Sequence, residues 1–443
     1  MKIIIFIIII GFLIISTCLN RKMDIPSKRM LILFISFWAL SIFFALIQIN
    51  GLNKIDSTTL YLVYASLVAF YLGFNIYIIP ITKAKNITEE KINTQIEYFT
   101  NNIVFKAILI TLVLYCCYLF SIYYQQVMFY ESLATLRAEY YEYDSLYGPL
   151  FRTLNLWVLS PFSLIAIPIF AYKCFYKIDW ICFLLGIYLL TYSSLSGGRF
   201  GYMRIIVGFI FIIFCLLSKH KNKTKKVFQK TKLIITSITI CIVLISVLIF
   251  VSAGRDGEIN SNTSTIVSTG TEQLSNTIGT YMGGSIVAFD YCLNNNYLER
   301  IGGYQYGKLT FSAPIKLISP ILNLMGFGYI DIADISFKQT EYINIGPGYF
   351  NALYTSLFWF YLDLGIIGVV IFPFILGLLF RWSIKLMYEK NTLPIIIFVF
   401  IFFQKALHSV FDYTFVSYEE LLFVIILLYF GLKKQKYHVI HPS

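Results

Sequence analysis

The residues best suited to chemistry are arginines set where positive charge is unexpected. Arg199 and Arg204 lie in the stretch Ser196-Gly197-Gly198-Arg199-Phe200-Gly201-Tyr202-Met203-Arg204, between two apolar runs. Paired guanidinium groups beside flexible glycines suit a diphosphate, which takes bidentate, charge-assisted donors and close backbone approach. The plain alternative is a hairpin whose arginines snorkel to lipid headgroups. Gly254-Arg255-Asp256-Gly257 offers a third donor for the same anion, or an ordinary Arg-Asp turn pair. For proton transfer the chain has Glu272, Asp290, Asp331, Asp334 and Glu341, any of which is a general base if it reaches an attacking hydroxyl and a solvated loop charge if it does not. Lys405, His408 and Asp412 are spaced i, i+3 and i+7 within an apolar run, which predicts a common helical face. Polar groups inside such a run are costly and face a cavity or a partner, so His408 is a proton-transfer candidate or simply hydrogen-bonded to Asp412. The base stays open among these residues.

The elements that must hold these groups are membrane helices. Hydrophobic residues make up 58% of the 443, charged residues 13%, and the mean hydropathy is +0.74. Apolar runs near twenty residues, each long enough to cross a hydrocarbon core of about 30 Å as a helix, recur at 3–19, 30–49, 59–81, 103–124, 154–172, 179–195, 203–218, 233–252, 364–380, 393–411 and 416–432. An all-α polytopic membrane protein of about eleven spans is expected, with N-terminal helices over 1–253, one large polar loop over 254–348 and C-terminal helices over 349–443.

The net charge of +12 does not indicate nucleic-acid binding, because the cations alternate between loops rather than lining one face. Arg21, Lys22, Lys28 and Arg29 follow the first span, Lys83, Lys85 and Lys91 the third, Lys173 and Lys177 the fifth, and a lysine run from Lys219 to Lys232 the seventh; Arg381, Lys385 and Lys390 follow the ninth and Lys433, Lys434 and Lys436 the last. The positive-inside rule then places the N-terminus outside, the C-terminus inside, and loops 125–153, 196–202 and 254–348 outside. Read otherwise, the first run is a signal peptide with a lipoprotein-like Ser16-Thr17-Cys18; Thr17 before the cysteine and the four cations that follow favour a retained helix. Cys292 stands alone in the outer loop, so no disulfide framework is expected. No CxxC metal pattern, P-loop, dinucleotide fingerprint, HExxH or GxSxG occurs, and neither a metal nor a cofactor is expected.

Within the large loop, 254–270 is rich in Gly, Ser, Thr and Asn and reads as extended or irregular. From Glu272 to about Leu293 the apolar spacing predicts an amphipathic helix on the membrane surface. Residues 307–330, interrupted by Pro314 and Pro320, predict short interfacial helices. Gly346-Pro347-Gly348 predicts a turn before an aromatic helix over 349–361 that re-enters the membrane.

This order of features resembles the O-antigen polymerases, the Wzy-type enzymes that polymerise lipid-linked oligosaccharide repeat units. The resemblance rests on Gly197-Gly198-Arg199, on Tyr281 to Asp290, on Tyr306-Gly307-Lys-Leu-Thr-Phe311, and on Asn351-Ala-Leu-Tyr-Thr355 leading into Tyr361-Leu-Asp363-Leu-Gly365-Ile-Ile-Gly368, Phe372-Pro373 and Gly377. It covers about 195–380 by motif and the rest by topology alone. It implies a bacterial inner-membrane enzyme working at the periplasmic face, where a growing glycan on undecaprenyl diphosphate passes to a newly flipped lipid-linked repeat unit. Its partners would be those lipid-linked oligosaccharides, membrane lipid, a chain-length regulator and a flippase. It further implies that Arg199, Arg204 and Arg255 hold the diphosphate and that Gly198, Tyr281, Asn351 and Asp363 line the substrate site. Asp290, which ends the Tyr281 stretch, ranks first as base, with Glu272, Asp331, Asp334, Glu341 and His408 as the alternatives. An O-antigen ligase shares the frame and donor but takes a different acceptor. A flippase has no use for so long an outer loop, and a non-enzymatic assembly scaffold is the remaining class.

Overall fold

The computed structural model describes residues 2–21, 23–76, 89–130, 147–195, 200–216, 242–243, 245–249, 251–253, 263–326, 328, 343–350 and 354–433. Among them the chain is almost entirely helical: α1 (Lys2–Leu19), α2 (Ile25–Leu46), α3 (Ser57–Ile76), α4 (Glu89–Asn101), α5 (Ile103–Tyr130), α6 (Ser160–Tyr176), α7 (Trp180–Ser194), α8 (Phe200–Leu216), α9 (Thr263–Asn294), α10 (Ser312–Leu324), α11 (Ser356–Lys390), α12 (Leu393–His408) and α13 (Tyr418–Leu432). A helical turn at Pro149–Leu154 and a π-turn at Asn155–Leu159 lead into α6. Among the described residues six helices are long and apolar enough to cross a membrane: α1, α2, α3, α5, the run ending in α6, and α11. Helices α7, α8 and α12 are apolar but shorter, and α13 has 15 residues. Of the expected span at 233–252, only short pieces lie within the described residues.

Helix α3 runs antiparallel to α11, with Gly73 against Phe374 and Gly377 against Phe70, and the polar contacts fall into two ends. At one end Arg381 donates to Asp24 at 2.9 Å, and the Tyr388 hydroxyl donates to the same carboxylate. There too the Lys173 ammonium, 1% exposed, is held by Asp179 at 2.7 Å and Glu97 at 3.3 Å, which ties α4, α6 and the start of α7 together. A buried lysine is tolerable only when paired in this way. These cations belong to the set that marks the inner face in the charge pattern, so part of that set is structural. At the opposite end lie the starts of α3, α8 and α13 and the last turn of α12.

Packing depends on close backbone approach at glycines, as expected where dispersion rather than water expulsion drives helix association. A Cβ on Gly73 would lie 2.1 Å from the Phe374 carbonyl oxygen, and one on Gly377 would lie 2.2 Å from that of Phe70, so α3 and α11 touch backbone to backbone. Helix α11 breaks at Leu364 (φ −138°) and Gly365 (φ +62°). The aromatic helix expected over 349–361 is its first arm, beginning at Ser356, while Tyr349–Phe350 instead pairs with Ile343–Asn344 in a two-residue hairpin around the expected Gly346-Pro347-Gly348 turn.

The large loop departs most from expectation. Thr263–Gly270, read as irregular, forms the first turns of α9, a 32-residue helix. Its second half does not lie on a surface: Ser285 through Asp290 are buried in succession, all round the helix, against α2 and α3. A Cβ on Gly283 would sit 3.1 Å from the Ala45 nitrogen, and the Ser41 hydroxyl donates to the Met282 carbonyl. The small residues in Thr280–Ser285 that weaken the amphipathic pattern are therefore what let the helix enter the bundle. Among the described residues of 307–330 there is one short helix, α10, with Pro314 in its first turn and Pro320 inside it.

Candidate functional site

A cavity of about 310 Å³ opens at the end of the bundle where α8 begins and α12 finishes. Its wall comes from α2 (Phe37, Leu40), α8 (Phe200, Met203, Arg204, Val207), Leu248, α9 (Leu274, Thr277, Ile278, Tyr281, Met282) and α12 with its following turn (Gln404, Leu407, His408, Phe411). Three residues singled out from the sequence, Arg204, Tyr281 and His408, thus meet around one space although they are far apart in the chain. Gln404 joins them one turn before His408. Arg204 lies near enough to act on the His408 charge, Gln404 is one turn from His408, and most of the remaining wall is apolar. That lining suits an amphiphile with an anionic head, and the volume falls at the lower end of ordinary ligand pockets.

The electrostatics favour an anion. The Arg204 charge acts on His408, Tyr192 and Glu420, but no carboxylate among the described residues lies within ion-pair distance of it. An arginine facing an apolar cavity without a counter-ion is costly unless a ligand supplies the charge. His408 Nδ1 and Gln404 Oε1 are buried with no hydrogen-bond partner among the described residues. The imidazole is braced by the edges of Phe200 and Phe411, with ring centroids at 5.2 Å and 5.7 Å. The Gln404 oxygen accepts, and so does Nδ1 in its unprotonated form, so the pair suits a ligand that donates hydrogen bonds, such as a sugar hydroxyl.

No family model, no curated protein and no solved structure matches this chain. The reading of the site therefore rests on its own geometry.

Two acids given roles from the sequence turn out to be held by backbone. Asp290, 7% exposed, accepts from the Asp56 N–H at 2.9 Å and from the Thr59 hydroxyl, so it caps α3 from α9. Asp363, fully buried, accepts from the Leu309 and Thr310 N–H groups at 3.1 and 2.6 Å, while the Gln305 and Tyr306 N–H groups donate to the carbonyls of Leu362 and Asp363. It clamps the 305–310 turn onto the break in α11. Gly365 follows for the same reason: its positive φ makes the break, and a Cβ there would meet the Tyr304 hydroxyl at 2.7 Å.

Lys405, His408 and Asp412 do not act as one face. Helix α12 ends at His408, and the chain turns before Asp412. Asp412 accepts from the Trp359 indole N–H at 2.7 Å and from its neighbour's N–H, not from His408. Lys405 points the other way, paired with Glu420 of α13. Glu272 is exposed on α9. Gly198, Arg199, Arg255, Asn351, Asp331, Asp334 and Glu341 lie outside the described residues. Gln404 was missed by the sequence reading, though a lone amide in the run Phe402-Phe403-Gln404-Lys405 is the kind of intramembrane polar residue that signals a site.

Proposed function

We propose that this chain is a membrane glycosyltransferase that polymerises lipid-linked oligosaccharide repeat units, as in the O-antigen polymerases, using a polyprenyl-diphosphate-linked glycan as donor. The observation that carries this reading is the cavity in which Arg204, without an ion pair among the described residues, and His408, whose Nδ1 has no hydrogen-bond partner among them, share a mostly apolar wall. In it the prenyl chain lies along Met203, Val207, Leu274 and Ile278, and the diphosphate lies at Arg204. The acceptor hydroxyl attacks the anomeric carbon, the bond from that carbon to the diphosphate oxygen breaks, and the departing anion keeps the electron pair. Arg204 stabilises that growing charge. Once the bound diphosphate offsets the Arg204 charge that otherwise opposes a protonated imidazole, His408 Nδ1 takes the proton of the attacking hydroxyl; Asp290 is already committed to two donors and ranks behind it.

The test is chain length. Arg204→Ala is expected to lower the polymerisation rate by about 10²- to 10³-fold, the usual cost of losing one such donor, at unchanged protein level. Arg204→Lys should restore little, because a point charge lacks the planar fork. Surface polysaccharide from a strain carrying only the variant is read by gel: single repeat units on the lipid core are the expected outcome, and long chains from Arg204→Ala remove Arg204 from the mechanism. Absence of any repeat unit on the core in a deletion strain would identify a ligase instead.

A further inference from the structure

A second cavity, of about 270 Å³, lies across α12 from the first. Helix α12 is the partition: Gln404, Leu407 and His408 face one cavity, Ile401, Phe402 and Lys405 the other. The second is bounded by α10, α11 beyond its break, α12, the 413–417 connector and α13. Its polar groups, Lys405 with Glu420 and Ser417, gather at the end shared with His408. From there it runs inward along Phe372, Ile375 and Leu379, three positions on one face of α11 that cover about 10 Å at 1.5 Å per residue. Ile375 and Leu379 are 39% and 40% exposed, so the cavity opens sideways, where a hydrocarbon chain can enter. Its inner stretch along Phe372, Ile375 and Leu379 is apolar, so an apolar chain fills it better than water does.

We infer that this second cavity takes the hydrocarbon tail of the other lipid-linked substrate, so that donor and acceptor lie on opposite faces of α12 and meet over its last turn. The inference rests on the glycosyltransferase reading above. Its physical basis is a requirement of that reaction: two amphiphiles with similar tails must bring their heads to one point while their tails stay apart. Two cavities with converging polar ends and one shared helical wall meet that requirement.

The experiment is photolabelling of the full-length protein in nanodiscs. The probes are a polyprenyl diphosphate carrying a diazirine in its tail and, separately, a phosphatidylethanolamine carrying one in its acyl chain. Polyprenyl adducts are expected on Leu379 and Val424 as well as on Met203 and Leu274. Val424→Trp should abolish the first pair of adducts and leave the second. Leu379→Trp, at a half-exposed position that tolerates bulk, repeats the test should Val424→Trp not fold. Polyprenyl adducts confined to either cavity, or phospholipid adducts alone in the second, overturn the two-tail arrangement while the glycosyltransferase reading stands. Absence of polyprenyl adducts from both overturns that reading and this inference together.

Discussion

At the scale of single residues, the informative distinction is between polar groups already satisfied and those left waiting. Asp290 belongs to the first kind, because its carboxylate serves the α3 terminus. Asp290→Asn retains an oxygen that accepts both bonds, so it should preserve folding and chain growth, whereas Asp290→Ala should cost about 1–3 kcal/mol of stability by stranding those donors. Thermal unfolding in detergent beside a chain-length gel separates the outcomes, and loss of polymerisation by a stably folded Asp290→Asn would restore the carboxylate as base. Asp412, in the connector after α12, is held up to about 7 by burial, against the opposing pull of the Trp359 and Tyr413 N–H donors and Lys405. The folded chain therefore retains this proton over a range where an unfolded chain, with an ordinary value of 3.8, has lost it. Stability from this group is complete at low pH, declines as pH rises towards about 7, and is flat above that. The difference in melting temperature between Asp412→Asn and the parent, followed across that range, should show this slope.

At the scale of elements, the break in α11 is the device that ties the loop to the membrane frame. Gly365 supplies the left-handed conformation, and the first arm of the helix then presents Asp363 to the 305–310 turn. Gly365→Ala is expected to destabilise by about 1–3 kcal/mol through backbone strain alone, and further through collision with Tyr304. Adding Tyr304→Ala should relieve the collision and leave the strain, so a double variant that recovers only partly, measured by thermal unfolding, supports both causes. Full recovery would mean that the backbone conformation itself costs nothing. The α3–α11 contact is less forgiving. Bulk at Gly377 would drive a side chain into the Phe70 carbonyl, where no rotamer change relieves it.

At the scale of the whole molecule, two polar ends and an apolar waist follow from hydropathy and charge alternation together. One end holds the Asp24–Arg381 and Lys173–Asp179 pairs, the other the two cavities. The orientation expected from the loop charges places the cavities outside. A reporter active only beyond the membrane should work when fused after Asn262 or Asn295 and stay silent after Lys223 or Lys434. Activity at Lys223 would reverse the topology and put both cavities on the inner face.

The sequence by itself determined that the chain is helical, with apolar helices long enough to cross a membrane, because length and hydropathy are local quantities. It also determined the Gly346-Pro347-Gly348 turn and singled out Arg204 and His408 as polar residues beside or within apolar runs, whereas Tyr281 came only from the resemblance. Only the tertiary structure decided which acids are committed. Asp290 meets Asp56 across more than two hundred residues, Asp363 meets a turn fifty residues earlier, and nothing in either local sequence announces those donors. The same holds for Lys405: helical spacing alone groups it with His408, but α12 stands between two cavities, and the carboxylate of Glu420 on α13 draws the lysine to the other side. The entry of α9 into the bundle was equally hidden, since small residues read as weak amphipathicity until a neighbouring backbone is seen pressed against them. Spacing reports what one helix presents, whereas a site is made where several helices present to the same space.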